Sequence, residues 1–486
     1  MPTPTDEQTE AADAFRAGHH LVLQAGAGTG KTSTLNLLAA GTTRHGRYLA
    51  FNKDIAHDAS SRFPRTVLCK TAHATAYAAL GHRYTHRLNS PRQPAWKTGQ
   101  NLGITRAIRI GDHDVSHRTL SHTVLRTLTR YCHSADRTLD RRHVPHLRGL
   151  GTPAEQAQLA AEVLPFAVKA WADLQDPDQR VVRFEHDHYL KMWALTEPKI
   201  DADFLFLDEA QDTNPVLEQV FAAQRDHAQL VMVGDSAQAI YGWRGARDVM
   251  TGFDATSLTL TRSFRFGPRL AEQANRWLQL ADAPIRLTGT EAIPTEVGTL
   301  ARPDAVLCRT NIGAMTEAMK LLAGGHRVAL TRGGNTLTAL ALAALDLKQG
   351  RRTNHPELVL FASWGELQDY AAHDPAGGDL QPFVDLVDTH GPDAILAAVD
   401  ELTDEQHADV TVSTAHKAKG REWAAVKIAD DFPPPKDTDQ HDAQGCPIPE
   451  PVSDTDARLA YVAVTRARHH LDLGGLSWID SHPHVL

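Results

Sequence analysis

Cysteine is nearly absent: four in 486 residues, at positions 69, 132, 308 and 446, with no CxxC pair. That spacing suggests neither a zinc site nor a disulfide framework, and it fits a reducing compartment. Long hydrophobic runs are missing as well. No stretch of about 18 apolar residues occurs, so no membrane-crossing segment is expected. The opening Met1-Pro2-Thr3-Pro4-Thr5-Asp6-Glu7 is acidic and lacks the basic–apolar–small order of a secretory signal, so a cytoplasmic location is expected. Net positive charge is lacking too: 50 Lys+Arg against 59 Asp+Glu gives −9. Taken alone, that balance argues against a nucleic-acid partner. What is present is an ordinary globular composition, 42% hydrophobic and 22% charged, long enough for about three domains at roughly 150 residues each. The average charge also hides a polarity. Residues 81–150 carry 13 Arg/Lys against 4 Asp/Glu, a balance of +9, whereas residues 351–460 carry 8 against 22, a balance of −14. A basic stretch on an acidic chain is the footprint of polyanion binding.

The first third alternates apolar runs with helix-like segments. Leu21-Val22-Leu23-Gln24 precedes glycines, and Lys31 to Ala40 then reads as a helix; Tyr48 to Phe51 and Val67 to Cys69 are further strands. This is the pattern of a parallel α/β sheet. It breaks near Gly81 in a His/Arg/Thr-rich, mostly helical stretch and resumes at Phe204–Leu207 and Leu230–Val233. A second series begins beyond Arg265 with Ala305–Cys308, a helix over 313–323 and Val328–Leu330. An Ala/Leu-rich acidic stretch interrupts it before Val410–Val412, Ala424–Ile428 and a helix around Asp456–Thr465. Residues Pro433 to Asp442 read as a solvent loop. The expected organisation is two α/β lobes, each carrying a helical insertion. The first lobe comprises 1–84 and 187–262, with a basic insertion at 85–186; the second comprises 263–335 and 406–486, with a short acidic insertion at 336–405.

Chemistry concentrates first in Ala25-Gly26-Ala27-Gly28-Thr29-Gly30-Lys31-Thr32, followed by Ser33, between a strand and a helix. Glycines there let backbone N–H groups curl around phosphates at the helix N-terminus. Lys31 would reach the β- and γ-phosphates, and the Thr32 hydroxyl would ligate Mg2+. Ala25 stands where the strict pattern has glycine. The partner signal is Leu207-Asp208-Glu209-Ala210-Gln211-Asp212 after an apolar strand. Asp208 suits the Mg2+ role, and Glu209 suits a base that polarises the attacking water. Together these two motifs describe a nucleotide hydrolase but not what the hydrolysis drives.

Further stretches fall in an order that resembles superfamily 1 DNA helicases of the UvrD/Rep type. Thr5-Asp6-Glu7-Gln8 looks like that family's adenine-reading glutamine motif. Gly234-Asp235-Ser236-Ala237-Gln238-Ala239-Ile240-Tyr241-Gly242-Trp243-Arg244 resembles its third motif, in which Gln238 would touch the γ-phosphate region and Tyr241, Trp243 and Arg244 the strand. Leu260 to Arg265 is similar to the fourth, placing Phe264 on adenine and Arg265 on the γ-phosphate. Thr411 to Trp423 resembles the fifth, with Thr414 and His416 facing DNA and Glu422 on the nucleotide side. Tyr461 to Arg468 resembles the sixth, with Arg466 as arginine finger. Ala50-Phe51-Asn52-Lys53 and Thr71-Ala72-His73 look like two strand-gripping motifs. In style the chain is most similar to the F-box DNA helicase branch, without an F-box, and to its bacterial or phage relatives.

The resemblance implies two RecA-like lobes with ATP and Mg2+ as cofactors. It further implies a motor on single-stranded DNA and forked duplex that moves 3′ to 5′, for which a monomer suffices, in repair or recombination. The alternative is an ATPase module of a nuclease-containing repair or defence complex. The chain ends about 20 residues past Arg466, which leaves a nuclease to a partner protein. Ser33, Ser236 and Arg421 depart from the family's usual residues, and the second insertion is short.

Overall fold

The computed structural model describes residues 3–482 apart from 51, 92, 148–149, 241–247, 332–333, 354, 356–357, 359–360, 362, 374–379 and 442–446. Its contacts divide the chain into two compact units, Met1–Ala25 with Gly30–Leu260, and Gly26–Thr29 with Thr261–Leu486. Each unit is built on a six-stranded sheet.

In the first unit the strands are β1 (Leu21–Ala25), β2 (Gly46–Ala50), β3 (Val67–Thr71), a short hairpin of β4 (Ile108–Ile110) and β5 (His113–Val115), β6 (Phe204–Leu207), β7 (Gln229–Gly234) and β8 (Thr256–Leu260). The main sheet runs β3-β2-β6-β7-β1-β8 with every pairing parallel. Side chains alternate across a strand, so one apolar run serves two cores. Phe204 and Phe206 enter one core with Leu21, Leu23 and Tyr48. Leu205 and Leu207 enter the other with Val22, Leu49 and Met232. The second core continues into four helices, Ala95–Leu102, His117–His133, Pro153–Gln175 and His186–Leu195. Leu120, Val124 and Leu128 recur at helical spacing and are buried together there. The basic stretch, read as mostly helical, also contains the β4–β5 hairpin.

In the second unit follow β9 (Glu296–Val297), β10 (Ala305–Cys308), β11 (Val328–Leu330), β12 (Val410–Thr414), β13 (Trp423–Ile428), β14 (Asp437–His441), β15 (Pro447–Pro449) and β16 (Ala467–Asp472). Its sheet, again all parallel, runs β11-β12-β10-β13-β16-β9. Helices Gly334–Lys348, Trp364–His373, Gln381–His390 and Pro392–Asp400 form a separate small core around Ala344, Leu367, Phe383, Val387 and Ile395. Two parallel sheets with flanking helices are the fold class that the sequence pattern predicts. One expectation is corrected. Pro433–Asp442 is not loop throughout, because Asp437–His441 pairs with Pro447–Pro449 as an antiparallel ladder. Its residues are mostly exposed, so it lacks the apolar alternation that betrays a strand.

Candidate functional site

The loop between β1 and the helix Lys31–Ala40 turns through left-handed backbone at Gly28 (φ +75°) and Gly30 (φ +78°), which glycine adopts without a Cβ penalty. The helix therefore starts on Lys31, with Thr32 in its first turn. The Thr32 hydroxyl donates to Asp208 Oδ2 at 3.0 Å, and Tyr48 OH donates to the same oxygen at 2.5 Å. Asp208 follows directly on β6 and is 4% exposed. Burial, and then the neighbouring Glu209 charge, push its carboxyl above the usual range. Burial beside Asp208 likewise pushes the Tyr48 hydroxyl up, so Tyr48 stays a donor. A divalent cation relieves such a penalty. No group of three or more His, Cys, Asp or Glu among the described residues is placed to hold a metal. Mg2+ suits this setting, because it commonly takes one carboxylate and a hydroxyl and completes its shell with phosphate and water oxygens.

Glu209 sits at φ +52°, a left-handed conformation that costs a non-glycine residue about 1–3 kcal/mol and clusters at functional sites. Its Oε2 accepts from Gln211 Nε2 at 2.6 Å. Gln211 Oε1 in turn accepts the Asp235 N–H at 3.0 Å, and Asp235 Oδ2 accepts from Gln238 Nε2 at 2.7 Å. Asp235 and Gln238 follow the end of β7, next to β6 in the sheet. The carboxyl ends of adjacent parallel strands are where open α/β sheets place their ligands. Gln8 is the third residue after the cap in a capping box: Oε1 accepts the Thr5 N–H at 3.1 Å, and Nε2 donates to Thr34 Oγ1 at 3.0 Å. Ser33 is exposed on the same helix. Ser236 donates to Gln24 Oε1 at 2.9 Å.

By their contacts Gly26–Thr29 group with the second unit. There the Ala27 N–H donates to Tyr461 OH at 3.0 Å, Ser263 Oγ donates to the Ala27 carbonyl at 2.9 Å, and the Phe264 N–H donates to the Gly28 carbonyl at 2.8 Å. The Phe264 ring is 45% exposed, with Arg262 over it at 5.8 Å, which leaves apolar surface for a base. Two of the predicted arginines converge on Thr465. Arg265 Nη1 donates to its carbonyl at 3.0 Å, and Arg466 Nη2 to its Oγ1 at 2.9 Å. Glu422 pairs with Arg265 Nε at 2.7 Å. Arg466, 1% exposed, also donates to the carbonyls of Val462 (2.8 Å) and Arg421 (3.2 Å). Arg421 pairs with Glu405 and Thr331 Oγ1, tying the segment after the acidic helices to this unit.

Among the described residues, three of the five predicted on the strand side are helix caps. Asn52 accepts the Ile55 N–H at 2.9 Å, Thr71 the Ala74 N–H at 3.0 Å, and Thr414 the Lys417 N–H at 3.3 Å. Each begins a helix after a strand of its unit, and helix N-termini favour phosphate. His73 Nε2 bonds Asp187 Oδ1 at 2.9 Å, and His133 takes the other oxygen at 3.1 Å. His416 is half-buried beside Thr414. Phe51, Tyr241, Trp243 and Arg244 lie outside the described residues. Part of the basic stretch serves structure. Arg87 is buried against Asp173 at 3.0 Å, whereas Arg137 and Arg142 stay exposed in their pairs with Glu197 and Asp136. Sequence reasoning gave no role to Tyr48, Gln211, Asp187 or Tyr461. A polar group expected on a buried strand is a usable signal for Tyr48 alone, because a sequestered hydroxyl needs a partner.

Comparison with known proteins identifies the family. The family model of the UvrD/REP helicase N-terminal domain matches residues 5–253, and that of the UvrD-like helicase C-terminal domain matches residues 385–476. The F-box DNA helicase protein 1 of Schizosaccharomyces pombe is 30% identical over 94% of this chain and 55% of its own length. The F-box DNA helicase 1 of Gallus gallus is 29% identical over 93% and 47%. The ATP-dependent DNA helicase UvrD2 of Mycobacterium tuberculosis is 28% identical over 97% and 78%. The chain thus spans about half the length of the two F-box relatives. No helix among the described residues is long and apolar enough to cross a membrane. With its first 253 residues matched almost throughout and a second match in the other unit, the chain belongs to the UvrD/Rep-type DNA helicase family.

Proposed function

We propose that the chain is an ATP-driven motor that steps along single-stranded DNA, 3′ to 5′, and opens forked duplex or displaces bound protein. The observation that carries the reading is Thr32 and Asp208 joined at 3.0 Å beside a phosphate-type loop, with Glu209 next in sequence. Lys31 and the loop N–H groups bind the phosphates, while Phe264 and Gln8 take the base. Thr32 and Asp208 would hold Mg2+, which would supply charge neutralisation on the phosphate oxygens. Glu209 accepts a proton from the water that attacks the γ-phosphorus; the bond to the β-phosphate oxygen breaks, giving ADP and phosphate. Arg265 and Arg466 offset the charge that builds on the transferred group. Binding and loss of the γ-phosphate then bias two conformations with different grips on the strand.

ATP hydrolysis measured with and without single-stranded DNA tests this directly. A strong rise with DNA is expected, and a rate indifferent to DNA rejects the motor. A forked-duplex assay beside a protein-displacement assay separates unwinding from stripping.

The basic stretch is proposed to hold the strand. Binding should weaken steeply with salt, with a log–log slope of about −0.7 per phosphate neutralised on single strands. Replacing Arg137, Arg141 and Arg142 together should raise Kd and flatten that slope. An unchanged slope assigns these arginines to structure, in keeping with the pairs that Arg137 and Arg142 make with Glu197 and Asp136.

A further inference from the structure

Gln211 is fully buried (0% exposed), and both ends of its amide are used. Nε2 donates to the Glu209 carboxylate at 2.6 Å, and Oε1 accepts the Asp235 N–H at 3.0 Å. An amide has distinct donor and acceptor ends, so this orientation is fixed by its partners. The fit is also steric. A Cβ placed on Gly234, at the end of β7, would lie 2.4 Å from Gln211 Oε1. Glycine at 234 thus leaves the room through which Gln211 reaches the backbone of the neighbouring strand's end. Beyond it, Asp235 Oδ1 accepts the Ala237 N–H at 3.2 Å and Oδ2 accepts from Gln238 at 2.7 Å. A continuous hydrogen-bonded line therefore runs from Glu209 through Gln211 and Asp235 to Gln238, the residue whose motif resemblance points to the γ-phosphate.

We infer that Gln211 is the positioning residue for the water-activating carboxylate: it fixes the orientation of the Glu209 side chain and couples that orientation to Gln238. The inference rests on the ATPase reading above. The Glu209 backbone is already held, its N–H by Asp208 Oδ1 at 2.9 Å and its carbonyl by the Asp212 N–H at 2.9 Å, so Gln211 acts on the side chain. A donor from a rigid, buried amide selects one carboxylate orientation. Displacing Asp235 or Gln238 moves the acceptor end of that amide, and with it the donor end. Misplacing a reacting group by about 1 Å can cost on the order of 100-fold in rate.

The test uses the full chain, Mg2+-ATP and an oligothymidylate single strand. Gln211→Met keeps the length of the side chain and removes both hydrogen bonds. Gln211→Glu keeps an acceptor for the Asp235 N–H but, when ionised, sets an oxygen against Glu209, so it isolates the lost donation; rates for both variants are taken per folded molecule. Both should lower kcat per folded molecule by about 10- to 100-fold, with KM for ATP within about twofold; Gln211→Glu should also have a lower Tm when ionised, because its carboxylate is buried against that of Glu209. In Gln211→Glu the introduced carboxyl becomes a donor once protonated, so its rate relative to wild type should rise as pH falls. The double variant with Gln238→Ala should lose less than the product of the single losses, because residues acting as one line are not additive. Wild-type kcat in folded Gln211→Met, a loss confined to KM, or multiplicative losses in the double variant each overturn the inference. A wild-type chain that fails to hydrolyse ATP at all overturns the ATPase reading instead, and the inference with it.

Discussion

Glu209→Gln is expected to bind ATP and single-stranded DNA and yet turn over about 10²- to 10⁴-fold more slowly, the usual worth of a positioned general base. The substitution changes one atom and leaves the volume alone. An amide oxygen facing Gln211 still accepts the hydrogen bond now made at 2.6 Å, so the line to Asp235 and Gln238 survives. Asp208 also keeps both donors to Oδ2, Thr32 and Tyr48. What disappears is the capacity to take a proton from water. Nucleotide affinity by equilibrium titration should therefore match wild type while single-turnover hydrolysis collapses. Turnover near the wild-type rate would remove Glu209 as the base and leave its strained backbone without a catalytic reason.

The parts of this site that were legible in the sequence are those fixed by local geometry. The helix Lys31–Ala40 could be read to the residue, because an apolar strand, a glycine run and a helix former leave the chain one economical path. Asp208 was legible because it follows a strand that is apolar at every position and so must be central. The relay through Gln211 was not. Its distant partner, Asp235, is set by the pairing of β6 with β7, and that pairing is a property of the sheet order. The same holds for Tyr48, which reaches Asp208 across 160 positions of chain. The His73–Asp187–His133 bridge joins residues from three helices and has no local pattern at all. The basic stretch misled in a different way. Counting its charge could not show that Arg87 is buried in an ion pair with Asp173 and with the carbonyls of Asp173, Asp176 and Val182.

Arg466→Ala is expected to have the largest effect of all, since an arginine finger contributes about 10³- to 10⁵-fold in kcat. The structure sharpens the test, because Arg466 is 1% exposed and donates to the carbonyls of Val462 and Arg421 and to Thr465 Oγ1. Two roles therefore compete. As a structural tie, its loss strands buried acceptors at about 1–3 kcal/mol each, which lowers Tm and leaves the rate per folded molecule unchanged. As a finger, its loss removes positive charge from the transition state, so kcat falls by orders of magnitude in protein that is folded and still binds the strand. Arg466→Lys separates the two further. Lysine keeps the charge but lacks the planar fork that serves several acceptors at once. A finger role predicts partial recovery of kcat in the lysine variant, whereas a purely structural role predicts a low Tm in both variants with no rate defect in the folded fraction. Arg265 provides the internal control. It meets Arg466 at Thr465 but is anchored by Glu422 at 2.7 Å, so Glu422→Gln should loosen Arg265 and leave the Arg466 ties in place. If Arg466→Ala stays folded and still hydrolyses ATP at the wild-type rate with DNA present, the charge on the transferred phosphoryl must be met by Arg265 and Lys31, and Arg466 belongs to the architecture of its unit.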